Sequence, residues 1–161
     1  MGMTMTQKIL AKHAGLESVT AGQLIDSVGV MLGLSFPCGR ELEKLANQCD
    51  EKIKVRPTLK ELDCCLSGGQ NIAEKYRKEG KSPAYIARFT MLFISSAIVE
   101  MSKRIREKYG DLEFVYAGGV MSDLIIRDEL RSLHDCVFAL PEFSSDNAAG
   151  TAVLASVKDR S

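Results

Sequence analysis

The 161-residue sequence is short of the groups from which most catalytic and metal-binding motifs are made. It has two histidines, His13 and His134, far apart and flanked by charged or small residues, and both read as surface positions. Its five cysteines, Cys38, Cys49, Cys64, Cys65 and Cys136, are odd in number and never take C-x-x-C spacing. A zinc site is therefore not expected, because Zn²⁺ needs three or four closely spaced N or S ligands. Cys64 and Cys65 stand together in an apolar run, where a thiol behaves as a small buried hydrophobe. Unpaired thiols of this kind suit a reducing cytoplasm. H-E-x-x-H, G-x-x-x-x-G-K-[ST] and G-x-G-x-x-G are all missing, which removes local support for a metallopeptidase, a P-loop and a dinucleotide fingerprint. No nucleophile and base stand together as a hydrolase would require. No unbroken apolar run approaches the roughly 18 residues of a membrane span, so no membrane partner is expected.

Charge is balanced, with 21 basic against 21 acidic residues and a formal net charge of zero. This argues against broad non-specific nucleic-acid binding and leaves room only for a local basic patch. The 45% hydrophobic and 26% charged composition is that of a globular protein. The length suits one domain over residues 1–161, large enough to bury a core without staples. There is no sequence repeat, low-complexity segment or separate linker.

Periodicity organises the rest. A strand is expected around Gln7 to Ala11. Thr20 then caps a helix through AGQLIDSVGVMLG, with Leu24, Ile25, Val28, Met31 and Leu32 at helical spacing and Gly33 as its stop. RELEKLANQCDE follows as a helix with Leu42, Leu45 and Cys49 on one face. Residues 52–66 favour extended structure interrupted by Pro57. SPAYIARFTMLFISSAIVEMSKRIREKYG is the strongest helix: Ser82 caps it, Pro83 fits its first turn, Gly110 stops it, and Ile86, Phe89, Phe93, Ile98, Met101 and Ile105 form its stripe. Its length predicts packing across a sheet face. Strand FVYA, helix MSDLIIRDELRSL, strand CVFAL and helix DNAAGTAVLASVK then alternate, which predicts an α/β layered domain with the two strands parallel.

Three polar loops sit where strands hand over to helices, at residues 66–71, 117–123 and 143–150, and in an α/β sheet such loops gather at the ligand-binding carboxyl edge. Each has two readings. VYAGGV, with Gly118 and Gly119, is either an ordinary turn or a loop that lets backbone approach a ligand, with free helix N-terminal amides behind it for an anion. Ser67, Gly68 and Gly69 are either a tight turn with a capping serine or a phosphate-facing loop. Asp146 is either an N-cap or a ligand for a hard cation. Asp26, at the border of its helix's apolar face, is either a solvent-edge acid or a partner for a ribose diol.

Taken in order, DSVGVMLGLSFPCGRELEKLA, CCLSGGQN, VYAGGVMSDLIIRDEL and FSSDNAAGTAVLA resemble the carboxyl-terminal lobe of the tRNA threonylcarbamoyladenosine transferase family, long labelled O-sialoglycoprotein endopeptidases or glycoproteases. The resemblance runs from about residue 20 to the end and is closest to the shorter Gram-positive paralogues. It implies a ribonuclease-H-like lobe of the actin, sugar-kinase and heat-shock-chaperone superfamily, a layered sheet with helices and one long central helix. It also implies that VYAGGV lines an adenosine pocket, that Asp26 and Gly39 match the positions contacting the nucleotide sugar, and that Ser67 and Gly68 match a loop near the phosphates. Asp146 matches an aspartate completing a metal site. Asp123 stands where the family usually has Asn, exchanging a donor–acceptor amide for an anion, and Gln70 and Asn71 replace a frequent Lys-Thr pair.

The cofactors so implied are ATP or an adenylate and one divalent ion, iron, zinc or magnesium, at a site left incomplete because the family's amino-terminal lobe and its H-x-x-x-H motif do not occur in this sequence. The implied partners are an adenine nucleotide, the missing lobe or a paralogous subunit, tRNA, and a second copy in a homodimer. Two functions remain: the carboxyl-terminal lobe of a threonylcarbamoyltransferase-like enzyme, inactive in isolation, or a non-catalytic nucleotide-binding or dimerisation module. The metallopeptidase of the older label ranks third.

Overall fold

A computed structural model describes residues 20–57, 59, 60, 63, 64, 66–111, 113–132 and 136–139. The first helix and the longest one start and stop where local chemistry dictates. The first, α1 (Ala21–Met31), opens on a reciprocal capping box: the Thr20 hydroxyl accepts from the Gln23 amide at 3.2 Å, and the Gln23 side-chain oxygen accepts from the Thr20 amide at 2.9 Å. It ends when Gly33 takes φ 87°, so that the Leu34 amide reaches back to the Gly29 carbonyl at 2.9 Å and the Gly33 amide to Val30 at 3.0 Å. α2 (Gly39–Ala46) follows a cis Phe36–Pro37 bond and stops short of Cys49, so the expected helix through RELEKLANQCDE is only its first two turns. β1 (Leu59–Lys60) and β2 (Asp63–Cys64) form a short antiparallel pair, the regular part of the stretch expected to be extended.

α3 (Ser67–Lys78) corrects one expectation. Ser67, Gly68 and Gly69 are not a loop but its first turn, and the capping position falls on Leu66, which has no side-chain cap to offer. Its far end repeats the ending of α1, with Gly80 at φ 76° and the Lys81 amide on the Tyr76 carbonyl at 3.0 Å. α4 (Pro83–Tyr109) has the expected bounds: the Ser82 hydroxyl accepts from the Tyr85 amide at 3.2 Å, Pro83 occupies the first turn, and Gly110 at φ 87° ends it.

β3 (Phe114–Tyr116), a 3₁₀ turn (Gly119–Ser122), α5 (Leu124–Arg131) and β4 (Cys136–Phe138) complete the described order. β3 and β4 are parallel, with Val115 opposite Val137, as the alternation predicts. The layered sheet is represented among the described residues by two separate two-stranded pairs, so the architecture is a helix-rich α/β fold.

The core is built around α4. Ile86, Ala87, Phe89, Met91, Phe93, Ile94 and Ala97 are buried, more than half of the circumference of the helix's first half. Among the described residues the cover of α4 is mainly helical and not the expected sheet face: α1, α2, α3 and α5 all lie against it, and strand contacts come from the β1–β2 pair and from β3. Tyr76 stands edge-on to Phe89 with ring centroids 5.1 Å apart, and Phe89 packs on Phe93 at 5.6 Å. Truncating so central a ring as Phe93 to Ala removes about 3–5 kcal/mol.

By length and mean hydropathy α4 also meets the description of a membrane-crossing helix, yet more than half of that window is buried inside the protein. Its hydroxyls are satisfied along the helix, Thr90 donating to the Ile86 carbonyl and Ser102 to Ile98, each at 2.9 Å. Ser102 and the Tyr116 hydroxyl lie 2.7 Å apart and tie the second half of α4 to β3.

Candidate functional site

Two corners of the fold hold most of the residues singled out in the sequence. In the first, between α1 and α2, the Asp26 carboxylate is half-buried and accepts from the Cys38 amide at 2.8 Å, while the Cys38 thiol faces the Asp26 carbonyl at 3.6 Å. The acid thus holds the entry to α2, where Gly39 is the first residue. Gly29 makes this corner possible. A Cβ there would stand 2.3 Å from Cys38 Cβ and 2.6 Å from its sulfur, whereas one on Gly39 would meet nothing within 4 Å. Burial, and after it the Asp26 charge, push the Cys38 thiol up, so it stays protonated at neutral pH and is no nucleophile.

The second corner is the loop between β3 and α5. Gly118 has φ 112° and ψ 159°, a conformation open essentially to glycine alone, and neither Gly118 nor Gly119 would bring a Cβ within 4 Å of another atom. The backbone there borders open space. Asp123 is 7% exposed and caps α5, its Oδ1 accepting from the Ile126 amide at 3.0 Å. Burial is the main cause that raises its pKa from 3.8 to about 6; the Glu43 charge adds to the rise, while the amides of Ile126 and Ile125 and the Arg88 charge oppose it.

The two corners are joined by one residue that the sequence reading missed. Glu43, one turn into α2, accepts from the Leu124 amide at 2.8 Å, so two carboxylates from different helices share the N-terminus of α5. The expectation that the helix behind the glycine pair offers free amides to an anion is therefore not met, because Glu43 and Asp123 have taken them. Arg127 was missed too. Its Nε donates to the Met121 carbonyl at 2.5 Å and its Nη2 to the Ala139 carbonyl at 3.1 Å, while the guanidinium lies 5.0 Å from the Phe138 ring centroid, so it staples the turn and α5 to β4. No local pattern marks either residue, since Glu43 and Leu124 are 81 positions apart.

Ser67 and Gly68 lie elsewhere, in the first turn of α3, which packs on α1 and α4. Asp146, His13, His134 and Cys65 fall outside the described residues, as do the strand expected near Gln7 and the helix expected after Asp146. Among the described residues no group of three or more His, Cys, Asp or Glu side chains is placed to hold a metal ion.

Known proteins resemble this chain over most of its length. Residues 5–153 match the family model described as tRNA N6-adenosine threonylcarbamoyltransferase. The enzyme of that name from Thermococcus sibiricus is 30% identical over 118 residues, 71% of this chain and 36% of the relative. That from Oenococcus oeni is 29% identical over 155 residues, 87% of this chain and 46% of the relative. The chain thus spans less than half the length of these relatives. A similarity of another kind is short: 34 residues, 20% of this chain, are 74% identical to part of the 3-isopropylmalate dehydratase large subunit of Clostridium botulinum, covering 8% of that protein. A stretch of that size is too small to hold a core of its own. With residues 5–153 matched, the chain belongs to the tRNA N6-adenosine threonylcarbamoyltransferase family.

Proposed function

We propose that this chain is the carboxyl-terminal, nucleotide-binding lobe of a threonylcarbamoyltransferase-like protein that takes part in tRNA threonylcarbamoyladenosine formation in the cytoplasm. The observation that carries the reading is the Gly118–Gly119 backbone, free of side chains and bordering open space, beside a corner in which Asp26 and Gly39 are tied through Glu43 to the same loop. A flat group such as adenine is suited to bare backbone of this kind. The amides of α5 are occupied, so the lobe is proposed to hold the adenosine end of ATP or an adenylate; Ser67 and Gly68, the residues proposed for the phosphates, stand apart from this loop in the first turn of α3. In the complete enzyme this lobe positions the adenylate while an amino-terminal lobe or a paralogous subunit supplies the rest, and orientation provides much of the rate.

The family's metal ion is a weaker fit. The described residues offer no cluster of ligands, so no step is derived through a metal, and Asp146 is the single residue that this chain is proposed to contribute. If full-length protein carrying Asp146→Ala transferred threonylcarbamoyl as fast as wild type, that contribution would be refuted.

The reading as a whole is tested by calorimetric titration of the chain with adenosine and with ATP, with and without magnesium, to millimolar ligand. Saturable binding that is lost in Gly119→Val supports it, and equal binding by that variant refutes the site. A second reading is favoured by one observation: Val115 and Val137, opposite one another on the outer face of the β3–β4 pair, are 69% and 50% exposed. An uncovered apolar face of this kind favours association, and the chain is then a dimerisation module. Sedimentation at high micromolar concentration separates the readings, since a monomer excludes the dimer.

A further inference from the structure

Beside the two corners and not lined by their loop residues, the described residues form a cavity of about 640 Å³ between the segment that follows α2, one face of α4, and α5. At about 30 Å³ per water this is room for roughly twenty waters, within the range of small-molecule sites and far more than a single ion needs. Ile53, Val55 and Leu92 give it an apolar part. Its charges are unusual in being left apart. Arg88 and Lys52 line it together with Asp50, Glu51 and Glu129. Among the described residues, however, Arg88 makes no hydrogen bond and no ion pair within 4.0 Å, although it is half-buried, and Lys52 is equally unengaged. The acids do not converge on a cation-binding cluster either.

A half-buried guanidinium with its fork unused is the group best shaped to take a planar carboxylate through two parallel N–H donors. The carboxylates of Asp50, Glu51 and Glu129, which also line the cavity and are not engaged by that guanidinium, are acceptors for an ammonium group. We infer that this cavity is a binding site for a small peptide-like zwitterion, with the ligand carboxylate on Arg88, its ammonium group on the lining carboxylates of Asp50, Glu51 or Glu129 and its apolar side chains against Ile53, Val55 and Leu92. The cavity does not include the glycine loop or Asp26, although the Arg88 charge also acts on Asp123. A larger anion such as a nucleotide is disfavoured, because three carboxylates outnumber two cations around the cavity.

The test is an NMR titration of the 161-residue chain with alanyl-alanine to 20 mM, repeated with its carboxyl-amidated and amino-acetylated forms, and with the variants Arg88→Gln and Arg88→Lys. The expected result is saturable shifts in residues 47–55 and 88–96, at least 10-fold weaker binding on amidation, weaker binding again on acetylation, and a 10-fold loss in Arg88→Gln that Lys restores only in part. Absence of saturation at 20 mM, equal binding of the amidated dipeptide, or unchanged affinity in a folded Arg88→Gln variant would each overturn the assignment. The two modified dipeptides probe wild-type protein, so the result does not depend on how well the variants fold.

Discussion

The sequence carries two glycine pairs that look alike, Gly68–Gly69 and Gly118–Gly119, and the structure uses them for opposite reasons. Gly69 is an ordinary helical residue whose missing side chain is required by its neighbours: a Cβ there would stand 2.9 Å from Leu24 Cδ2 and 2.9 Å from two atoms of the Phe93 ring. Gly118 has open space around it but a backbone that a side chain would strain. One pair belongs to packing and the other to conformation. The partners Gly68 and Gly119 are under neither constraint, since each would accommodate a Cβ without contact and neither has positive φ. A glycine pair is therefore weak evidence of a ligand loop until the cause of each glycine is known.

The contrast is tested first where the effect is largest. Gly69→Ala forces the α1–α3–α4 junction apart or turns the Phe93 ring, and is expected to cost about 1–3 kcal/mol, toward the upper end because three atoms are met at once. Urea denaturation measures it, and a loss under 0.5 kcal/mol would show that the junction yields freely. Gly118→Ala comes next, at about 1–2 kcal/mol, because the cost is local strain that an open loop can partly relax. The two variants should also differ in kind, with new core side-chain shifts for Gly69→Ala and changes confined to residues 116–124 for Gly118→Ala.

Much of the fold was legible because its signals are local. Thr20 with Gln23, Ser82 with Pro83, and the stops at Gly33 and Gly110 act within one turn of chain, and α1 and α4 fall where those residues put them. The parallel β3–β4 pair followed from strand–helix–strand alternation. What failed was long-range. An apolar helix reads the same whether a sheet or four helices cover it, so the neighbours of α4 were not to be had from its stripe. Residues 66–71 read as a loop because glycine is a poor helix former, whereas here close packing against Leu24 and Phe93 overrides propensity. Of the site, Asp26, Gly39, Gly118, Gly119 and Asp123 were visible as motif positions, but their link through Glu43 was not, since nothing in a sequence marks a contact across 81 residues.

Asp123 sharpens the comparison from the loop side. Its pKa in the folded chain is raised from 3.8 to about 6, so the folded state binds more protons than the unfolded state between these values. The stability associated with this group is therefore fully present below about pH 4, declines as pH rises through 6, and is absent above. Asp123→Asn keeps an N-cap acceptor without the buried charge. It is expected to leave stability near pH 4 unchanged and to raise it at pH 7.5 by about 1–3 kcal/mol, up to the free-energy equivalent of the shift. Denaturation of both proteins at pH 4 and 7.5 checks it, and parallel curves would mean that Asp123 titrates as an exposed acid does.

The smallest effects are expected at the unconstrained partners, and there the sign carries the information. Gly68 lies in the first turn of α3 with room for a methyl group, so Gly68→Ala removes conformational freedom from the unfolded chain and introduces no clash. A gain of about 0.4–1 kcal/mol is expected. Gly119 opens a 3₁₀ turn beside open space, and Gly119→Ala should stay within about 0.5 kcal/mol of wild type. If both hold while adenosine binding weakens in Gly119→Ala alone, its missing side chain serves a ligand and not the fold. If Gly119→Ala binds as wild type does, the bare backbone of this loop is a consequence of Gly118's conformation, and the nucleotide corner must be sought around Asp26 and Gly39 instead.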